Sequence, residues 1–489
     1  MADATPTIAE RLDRLPASQY IWSLVVLLSF GAFFEIYDIY LSAPLSLGLL
    51  AAGIFHSGKA GLFGLTDQAS FIAVTFAGLW LGALAFSAVA DRLGRRPIFT
   101  VALLWYALAT CVMAFQSSAI GIDVWRFVAS VGVGVELVAI DCYLAELAPK
   151  ALRGRAFAVS ASIQFLSTPL LAVLAWRLIP GDHFGVAGWR WLALLPAIAA
   201  AGVWQVRRSL PESPRWLAEH GRVPEADRIV TMMEAKIATE TGRPLPTSPP
   251  VHVGSTAEPG GGRGPRASAL SPAPSTPSGS PSPVNGGGSP VSLLRPPYRK
   301  RTLTLIVFHV FQTLGYYGFA NWLPTLLVSQ GVKLSTSLGY GVAVALVPPA
   351  APLVFLLIAD RFERKWLIVA GALIAAVFGL AMTGMTERSN LLVFTVIGMA
   401  VAAGSSLMSL AYHAYQSELF PTAIRARAVG FVYSFSRLSA VLSSYLIAWT
   451  LAGFGGPGVF VLVAGAMVLV AAVIAVAGPQ TRGLALEDI

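Results

Sequence analysis

Apolar residues in this chain come in long unbroken runs, neither alternating as in a half-buried strand nor striped as in a surface helix. Twelve runs, near residues 21–46, 70–90, 97–116, 122–143, 156–179, 190–207, 302–328, 338–359, 366–386, 391–413, 427–450 and 457–477, approach the ~20 residues that a helix needs to cross a bilayer. A transmembrane strand would show about ten residues of alternation instead. The pattern therefore predicts an all-α membrane protein with twelve transmembrane helices.

The polar positions between the runs are uneven. Arg11 and Arg14 precede helix 1, Arg92, Arg95 and Arg96 follow helix 2, and Lys150, Arg153 and Arg155 follow helix 4. Arg207, Arg208 and Arg215 follow helix 6, Arg361, Arg364 and Lys365 follow helix 8, and Arg425 and Arg427 follow helix 10. The other connections are nearly free of Lys and Arg, with Lys59, Lys333 and Arg388 the main exceptions. By the positive-inside rule both termini are expected to be cytoplasmic, and an even helix count agrees with that placement.

Two of these loops occur twice. Asp91-Arg92-Leu93-Gly94-Arg95-Arg96 returns as Asp360-Arg361-Phe362-Glu363-Arg364-Lys365. Glu146-x-x-Pro149-x-x-x-Arg153 returns with the same spacing as Glu418-x-x-Pro421-x-x-x-Arg425. Such duplication predicts two pseudo-symmetric six-helix bundles related by an axis normal to the membrane, the layout of a two-fold transporter. The divisions are a cytoplasmic tail over 1–20, a first bundle over 21–208, a cytoplasmic linker over 209–300, a second bundle over 301–478 and a cytoplasmic tail over 479–489. Within the linker, 211–238 reads as amphipathic and helical. Residues 241–297, dominated by Pro, Gly and Ser, bury too little apolar surface to offset their ordering entropy and are expected to be a disordered tether.

Composition adds exclusions. The chain is 55% hydrophobic and 12% charged, against about 25% charged in soluble domains. Its net charge of +9 lies along one membrane face, which suits anionic lipid headgroups and gives no reason to expect nucleic acid. Cys111 and Cys142 fall within helices at opposite depths, so no disulfide is expected. The first twenty residues are polar and the first apolar run has full membrane length, unlike a cleavable signal peptide. The sequence carries no nucleotide-binding glycine loop, metal-ligand cluster or nucleophile triad. An enzyme, a cofactor or a primary pump is not expected.

The loops resemble a known family. Ser87-x-x-x-Asp91-Arg92-x-Gly94-Arg95-Arg96-Pro97 is similar to the cytoplasmic loop signature of the major facilitator superfamily, with Ser87 at its first glycine. Glu146-x-x-Pro149-x-x-x-Arg153-Gly154, Pro211-Glu212-Ser213-Pro214-Arg215-Trp216 and Gly478-Pro479-Gln480-Thr481-Arg482-Gly483 resemble the sugar-porter branch and its synaptic-vesicle-like and organic-acid relatives. The opening of helix 4, from Arg126 to Glu136, is close to the same pattern. The resemblance implies alternating access in a cell (inner or plasma) membrane, a central cavity lined by helices 1, 4, 7 and 10, and a monomer. The charges of Asp91, Arg92, Arg95, Glu146 and Arg153 then form a latch at the cytoplasmic mouth, which Asp360, Arg361, Arg364, Glu418 and Arg425 repeat in the second half.

Ionisable groups inside the membrane are costly and usually functional. Helix 1 holds Glu35 and Asp38 on one face. Asp38 lies about 27 Å along the helix from Tyr20, at about 1.5 Å per residue, hence in the outer half. Helix 4 runs the opposite way with Arg126 near its outer end, so the two meet at similar depth. In sugar porters the matching aspartate and arginine form the proton-coupling pair, and here Ile36 stands at the family's preceding glycine. Glu35 and Glu136 are further coupling candidates near mid-depth, and Asp141 is expected to be structural.

Helix 7 offers Gln312, Tyr316, Asn321 and Trp322 as cargo contacts, by resemblance to the cargo helix of sugar porters and organic-acid permeases. Arg437, deep in helix 11, and His413, near the inner end of helix 10, are candidates for a carboxylate cargo, and His309 is a further titratable group. Gln164 falls about three residues beyond the sugar-porter glutamine of helix 5. The expected function is proton-coupled symport into the cytoplasm of a small polar metabolite, an organic acid, aromatic ones included, ahead of a sugar. Proton antiport of a drug or metabolite and a non-transporting nutrient receptor are the competing readings.

Overall fold

The computed structural model describes residues 7–56, 66–93, 95–149, 152–207, 210–242, 293–329, 331–358, 361–384, 391–420 and 422–481. A short helix, α1 (Ile8–Asp13), precedes the first bundle, which comprises α2 (Gln19–Ala51), α3 (Asp67–Leu93), α4 (Arg95–Ala114), α5 (Ala119–Leu147), α6 (Arg153–Phe165) with α7 (Ser167–Leu178), and α8 (Gly188–Arg207). Two more short helices, α9 (Pro214–Glu219) and α10 (Val223–Thr241), fall where the sequence reads as amphipathic. The second bundle holds α11 (Arg299–Ser329), α12 (Leu334–Ala345) with α13 (Val347–Ile358), α14 (Arg364–Ala381), α15 (Leu391–Glu418) and α16 (Thr422–Ala477). The segment predicted to be disordered lies almost wholly outside the described residues.

α16 is two membrane spans run together. At Gly455 the backbone takes φ 68° and ψ −168°, a region that essentially only glycine reaches. The two limbs lie side by side, because a Cβ on Gly318 of α11 would stand 3.0 Å from Ile447 and 3.1 Å from Val463. Counting those limbs separately, and α6 with α7 and α12 with α13 as one span each, gives the twelve spans that the apolar runs predict. Among the described residues, length and hydropathy alone single out eight stretches, the last of which holds both limbs of α16.

The two interrupted spans have a common cause. Pro348 and Pro349 lack the N–H groups that the Val344 and Ala345 carbonyls would accept, so the helix breaks at Leu346. Pro169 does the same to the Phe165 carbonyl near the break at Leu166. Within bundles, helices approach closely where glycine removes the side chain. A Cβ on Gly371 of α14 would lie 2.6 Å from the Gly404 carbonyl of α15, and one on Gly404 2.7 Å from the Gly371 carbonyl. Between bundles, α2 packs on α11, α3 on α16, α6 on α13 and α7 on α12. Large apolar side chains such as Leu108, Leu442, Trp449 and Val476 point outward, where acyl chains would meet them.

Candidate functional site

Asp38 and Arg126 meet, both with no solvent exposure. Arg126 Nη1 donates to Asp38 Oδ1 at 2.6 Å, while Nη2 donates to the Asp38 backbone carbonyl at 2.7 Å and to Ser42 Oγ at 3.1 Å. Nε donates at 2.9 Å to Thr75 Oγ1, which in turn donates to the Phe71 carbonyl at 2.7 Å. The guanidinium also stands 5.5 Å from the Phe71 ring centre. Asp38 Oδ2 is buried without a hydrogen-bond partner, and the unbonded hydroxyl of Tyr106 on α4 stands near the pair. A neighbouring helix holds α2 in place: Tyr37 donates to the Leu192 carbonyl of α8 at 3.0 Å. Glu35 and Glu136 are buried, at 5% and 2% exposure, yet neither joins this pair.

A cavity of about 130 Å³ opens at mid-depth between the bundles. Its walls come from α2, α7, α11, α12, α13 and α15, so the interrupted spans 5 and 8 add to the predicted walls from spans 1, 7 and 10. Helix α5 presents no side chain to this cavity, because its Arg126 is turned into α2 and α3. The lining is apolar apart from a few hydroxyls: Tyr40 and Tyr316, bonded to each other across the bundles at 2.7 Å, and Thr168, Ser405 and Ser406. Thr168 Oγ1 stands 2.9 Å from the Ala345 carbonyl and 2.8 Å from the Phe165 carbonyl, two of the three acceptors that prolines leave without donors. It can give its single proton to either. Gln68 also donates to Thr325 across the bundles at 2.6 Å. Among the described residues these three hydrogen bonds join the two bundles.

Of the residues predicted to touch cargo, Tyr316 lines the cavity. Gln312, Asn321 and Trp322 are buried in packing between helices instead. Gln312 accepts from Thr313, which bonds Ser436, and both polar atoms of Asn321 lack a partner. Gln164 is spent on Ser160 at 3.0 Å. Polar residues on α11 follow no single face, so charge and polarity alone do not say which of them turn inward. Tyr40 was not predicted; it follows Asp38 by two residues, on a span whose apolar and polar positions likewise mark no face.

Arg437 is 3% exposed and does not itself line the cavity. Nη1 donates to Tyr317 Oη at 3.3 Å and Nη2 to Tyr433 Oη at 3.1 Å. The guanidinium is 5.2 Å from the Tyr433 ring centre. The rings of Tyr316 and Tyr317, 5.3 Å apart, carry the aromatic wall from the cavity to Arg437. His413 stacks on Tyr412 at 4.3 Å and stands 6.1 Å from Tyr433, and buried His309 pairs with Gln416 at 3.2 Å.

The charged loops make contacts inside each half. Arg364 pairs with Glu418. Arg153 reaches Asp13 at 3.6 Å rather than Glu146, and Arg215 holds Asp13 at 2.7 Å and the Glu146 carbonyl at 3.0 Å. Arg361 is exposed. Asp360 and the side chains of Asp91, Arg92, Arg95, Asp141, Cys142 and Arg425 lie outside the described residues. Asp13 belongs to α1, whose Thr7-x-x-Glu10 capping box was the available signal for a docked helix. Arg11 of α1 is buried against α10, bonded to Asp227, to Thr231 at 3.0 Å and to Glu234 at 2.7 Å. Burial pushes the Glu234 carboxyl up, but hydrogen bonds from Arg11 and Arg14 outweigh it and hold its pKa below the ordinary carboxylate value. Glu240 at the far end of α10 accepts from the first N–H groups of α2, at Gln19 and Tyr20, where the helix dipole favours a carboxylate.

The sequence model of one family, "Sugar (and other) transporter", matches residues 24–242 and 288–489. A putative metabolite transport protein of Bacillus subtilis, YyaJ, is 28% identical over 474 residues, covering 97% of this chain and 96% of its own. The niacin transporter NiaP of Acinetobacter baylyi is 25% identical over 487 residues, covering 99% of each. Among solved structures, the xylose transporter XylE of E. coli, in a partially occluded inward-open conformation, superposes with a TM-score of 0.72. It shares 16% identity and covers 96% of this chain and 100% of its own.

Proposed function

Since the chain belongs to the sugar (and other) transporter family and is a multi-pass membrane transporter of small molecules, we propose that it is a proton-coupled symporter importing a small organic acid by alternating access. The observation that carries the reading is the Asp38–Arg126 pair. A carboxylate beside a guanidinium stays ionised, and separating the two in a low dielectric favours proton uptake. Asp38 Oδ2, buried and unbonded, is the atom that would receive the proton, with Tyr106 placed to bond it. Tyr40, one strand of backbone away from Asp38, would feel cargo through its bond to Tyr316. Motion that breaks the Tyr40–Tyr316 bond therefore also moves the helix that carries the acid.

Two features favour an acid over a sugar. Arg437 offers a cation that Tyr317 and Tyr433 do not neutralise, and Gln164 and Gln312 are turned away from the cavity. The name of one relative, a niacin transporter, belongs on the same side; that of another, an arabinose-proton symporter, favours the sugar alternative. We place the protein in a cell inner membrane with both termini cytoplasmic, acting as a monomer, and its charged loops as the inner latch. The test is cargo-dependent proton entry. Purified protein in liposomes with an internal pH dye should acidify the lumen when benzoate is added outside at equal starting pH, by more than protein-free liposomes do. Acidification by xylose and not by carboxylates would move the assignment to a sugar symporter, and alkalinisation would indicate antiport.

A further inference from the structure

We infer that the cargo is a monocarboxylate with an unhydroxylated, ring-sized body, its head on Arg437 and its body in the apolar cavity. This rests on the organic-acid reading above and narrows it to a chemical class and an orientation.

The head is set by charge. Among the described residues, two arginines are buried within the spans, Arg126 and Arg437, and Arg126 is matched by Asp38 at 2.6 Å. Arg437 is also buried, but its hydrogen-bond partners are two neutral hydroxyls at 3.3 Å and 3.1 Å. A guanidinium out of water needs an anion or it is strongly destabilising. One uncompensated cation calls for one negative charge, which a single carboxylate supplies. Its fork of donors also suits that group's two oxygens.

The body is set by the wall. Of its hydroxyls, Tyr40 and Tyr316 satisfy one another and Thr168 is engaged with backbone carbonyls, which leaves Ser405 and Ser406 for cargo. Ser405 Oγ has no partner at all. A sugar or sugar acid would bury four or five hydroxyls against Phe319, Leu323 and their neighbours, and each one left unpaired weakens binding about tenfold. The volume agrees. About 130 Å³ of cavity compares with the roughly 150 Å³ that takes up benzene in an apolar protein interior. The shelf of Tyr316 and Tyr317 rings connects the two ends, with edges and faces for a flat body to pack on.

Equilibrium binding to the purified full chain in detergent tests this without requiring proton coupling. The probes are benzoate, its neutral isostere benzamide, cyclohexanecarboxylate, gluconate and xylose, read by tryptophan fluorescence and by thermal shift. Benzoate and cyclohexanecarboxylate should bind, benzamide about tenfold or more weakly, and gluconate and xylose weaker still. In Arg437→Gln the preference for benzoate over benzamide should fall to about one, a ratio that holds meaning even if the variant is less stable. In Ala402→Phe, which fills the cavity, benzoate binding should be lost with Arg437 intact. Gluconate or xylose binding as tightly as benzoate overturns the assignment of the body, and an unchanged benzoate-to-benzamide ratio in Arg437→Gln overturns that of the head. Gradient-driven benzoate uptake failing while these binding results hold would instead refute the symport reading alone.

Discussion

Replacing Asp38 by Asn tests stability and coupling together. The variant removes the charge that faces Arg126 Nη1 at 2.6 Å but leaves three other acceptors: the residue-38 carbonyl, Ser42 and Thr75. Breaking a buried pair by deleting one partner costs about 3–5 kcal/mol. With most of the guanidinium's hydrogen bonds retained, the lower end, about 3 kcal/mol, is expected, and thermal unfolding in detergent measures it. Function should respond more selectively. One proton per cargo under an imposed gradient of about one pH unit supports up to about tenfold accumulation, since about 1.4 kcal/mol is one decade. Asp38→Asn, fixed in a proton-like neutral form, should accumulate nothing against a gradient in proteoliposomes. It should still exchange labelled for unlabelled cargo. Accumulation near the wild-type level would refute the role of Asp38, and joint loss of exchange in a variant that still melts cooperatively would recast the pair as structural.

Other outcomes follow from particular contacts. Thr168→Val leaves the Ala345 carbonyl without its donor, and should lower stability by about 1–3 kcal/mol and shift the balance of open and closed forms, seen in melting and in spin-label distances across spans 5 and 8. Gly371→Leu drives a side chain into backbone that lies 2.6 Å from a Cβ, whereas Gly430 has open space around it; the first should destabilise by at least about 1–3 kcal/mol, and Gly430→Ala should leave folding yield unchanged. The docking of α1 on α10 should respond to acid. Because the folded Glu234 carboxyl is held below its unfolded value, its contribution is present above about pH 4.3 and lost as pH falls through the folded value. Proteolysis after Arg11 or Arg14 should therefore speed up below about pH 4, and Glu234→Gln should remove that dependence. An unaltered rate would place the strength of the contact in the apolar packing of Ile8 and Leu12 instead.

The spans and their order were legible because length and unbroken apolarity are properties of single segments. The Asp38–Arg126 meeting was legible because a helix converts residue number into depth, and two antiparallel helices of known depth leave few partners. Rotation about the helix axis was the missing quantity. On α2 and α11 apolar residues surround the axis, so nothing local separated Tyr40 and Tyr316, which face the cavity, from Asn321 and Trp322, which do not. The breaks in spans 5 and 8 were written in Pro169, Pro348 and Pro349, but the hydroxyl that can serve either the Phe165 or the Ala345 carbonyl reaches the second only through the pairing of the two spans in space. Charge complementarity in the basic loops was visible, while its partners were not: Arg153 and Arg215 find Asp13, a residue assigned to the tail over 1–20.

That tail has an engineering consequence. Because Arg11 and Asp13 fasten α1 to the first bundle and its trailing helices, and Glu240 reaches back to the start of α2, everything through Gly242 belongs mechanically to one half. A gene divided within the Pro-, Gly- and Ser-rich tether read from the sequence would hand each ribosome one bundle, and the two fragments, made side by side in one cell, should find each other and restore uptake.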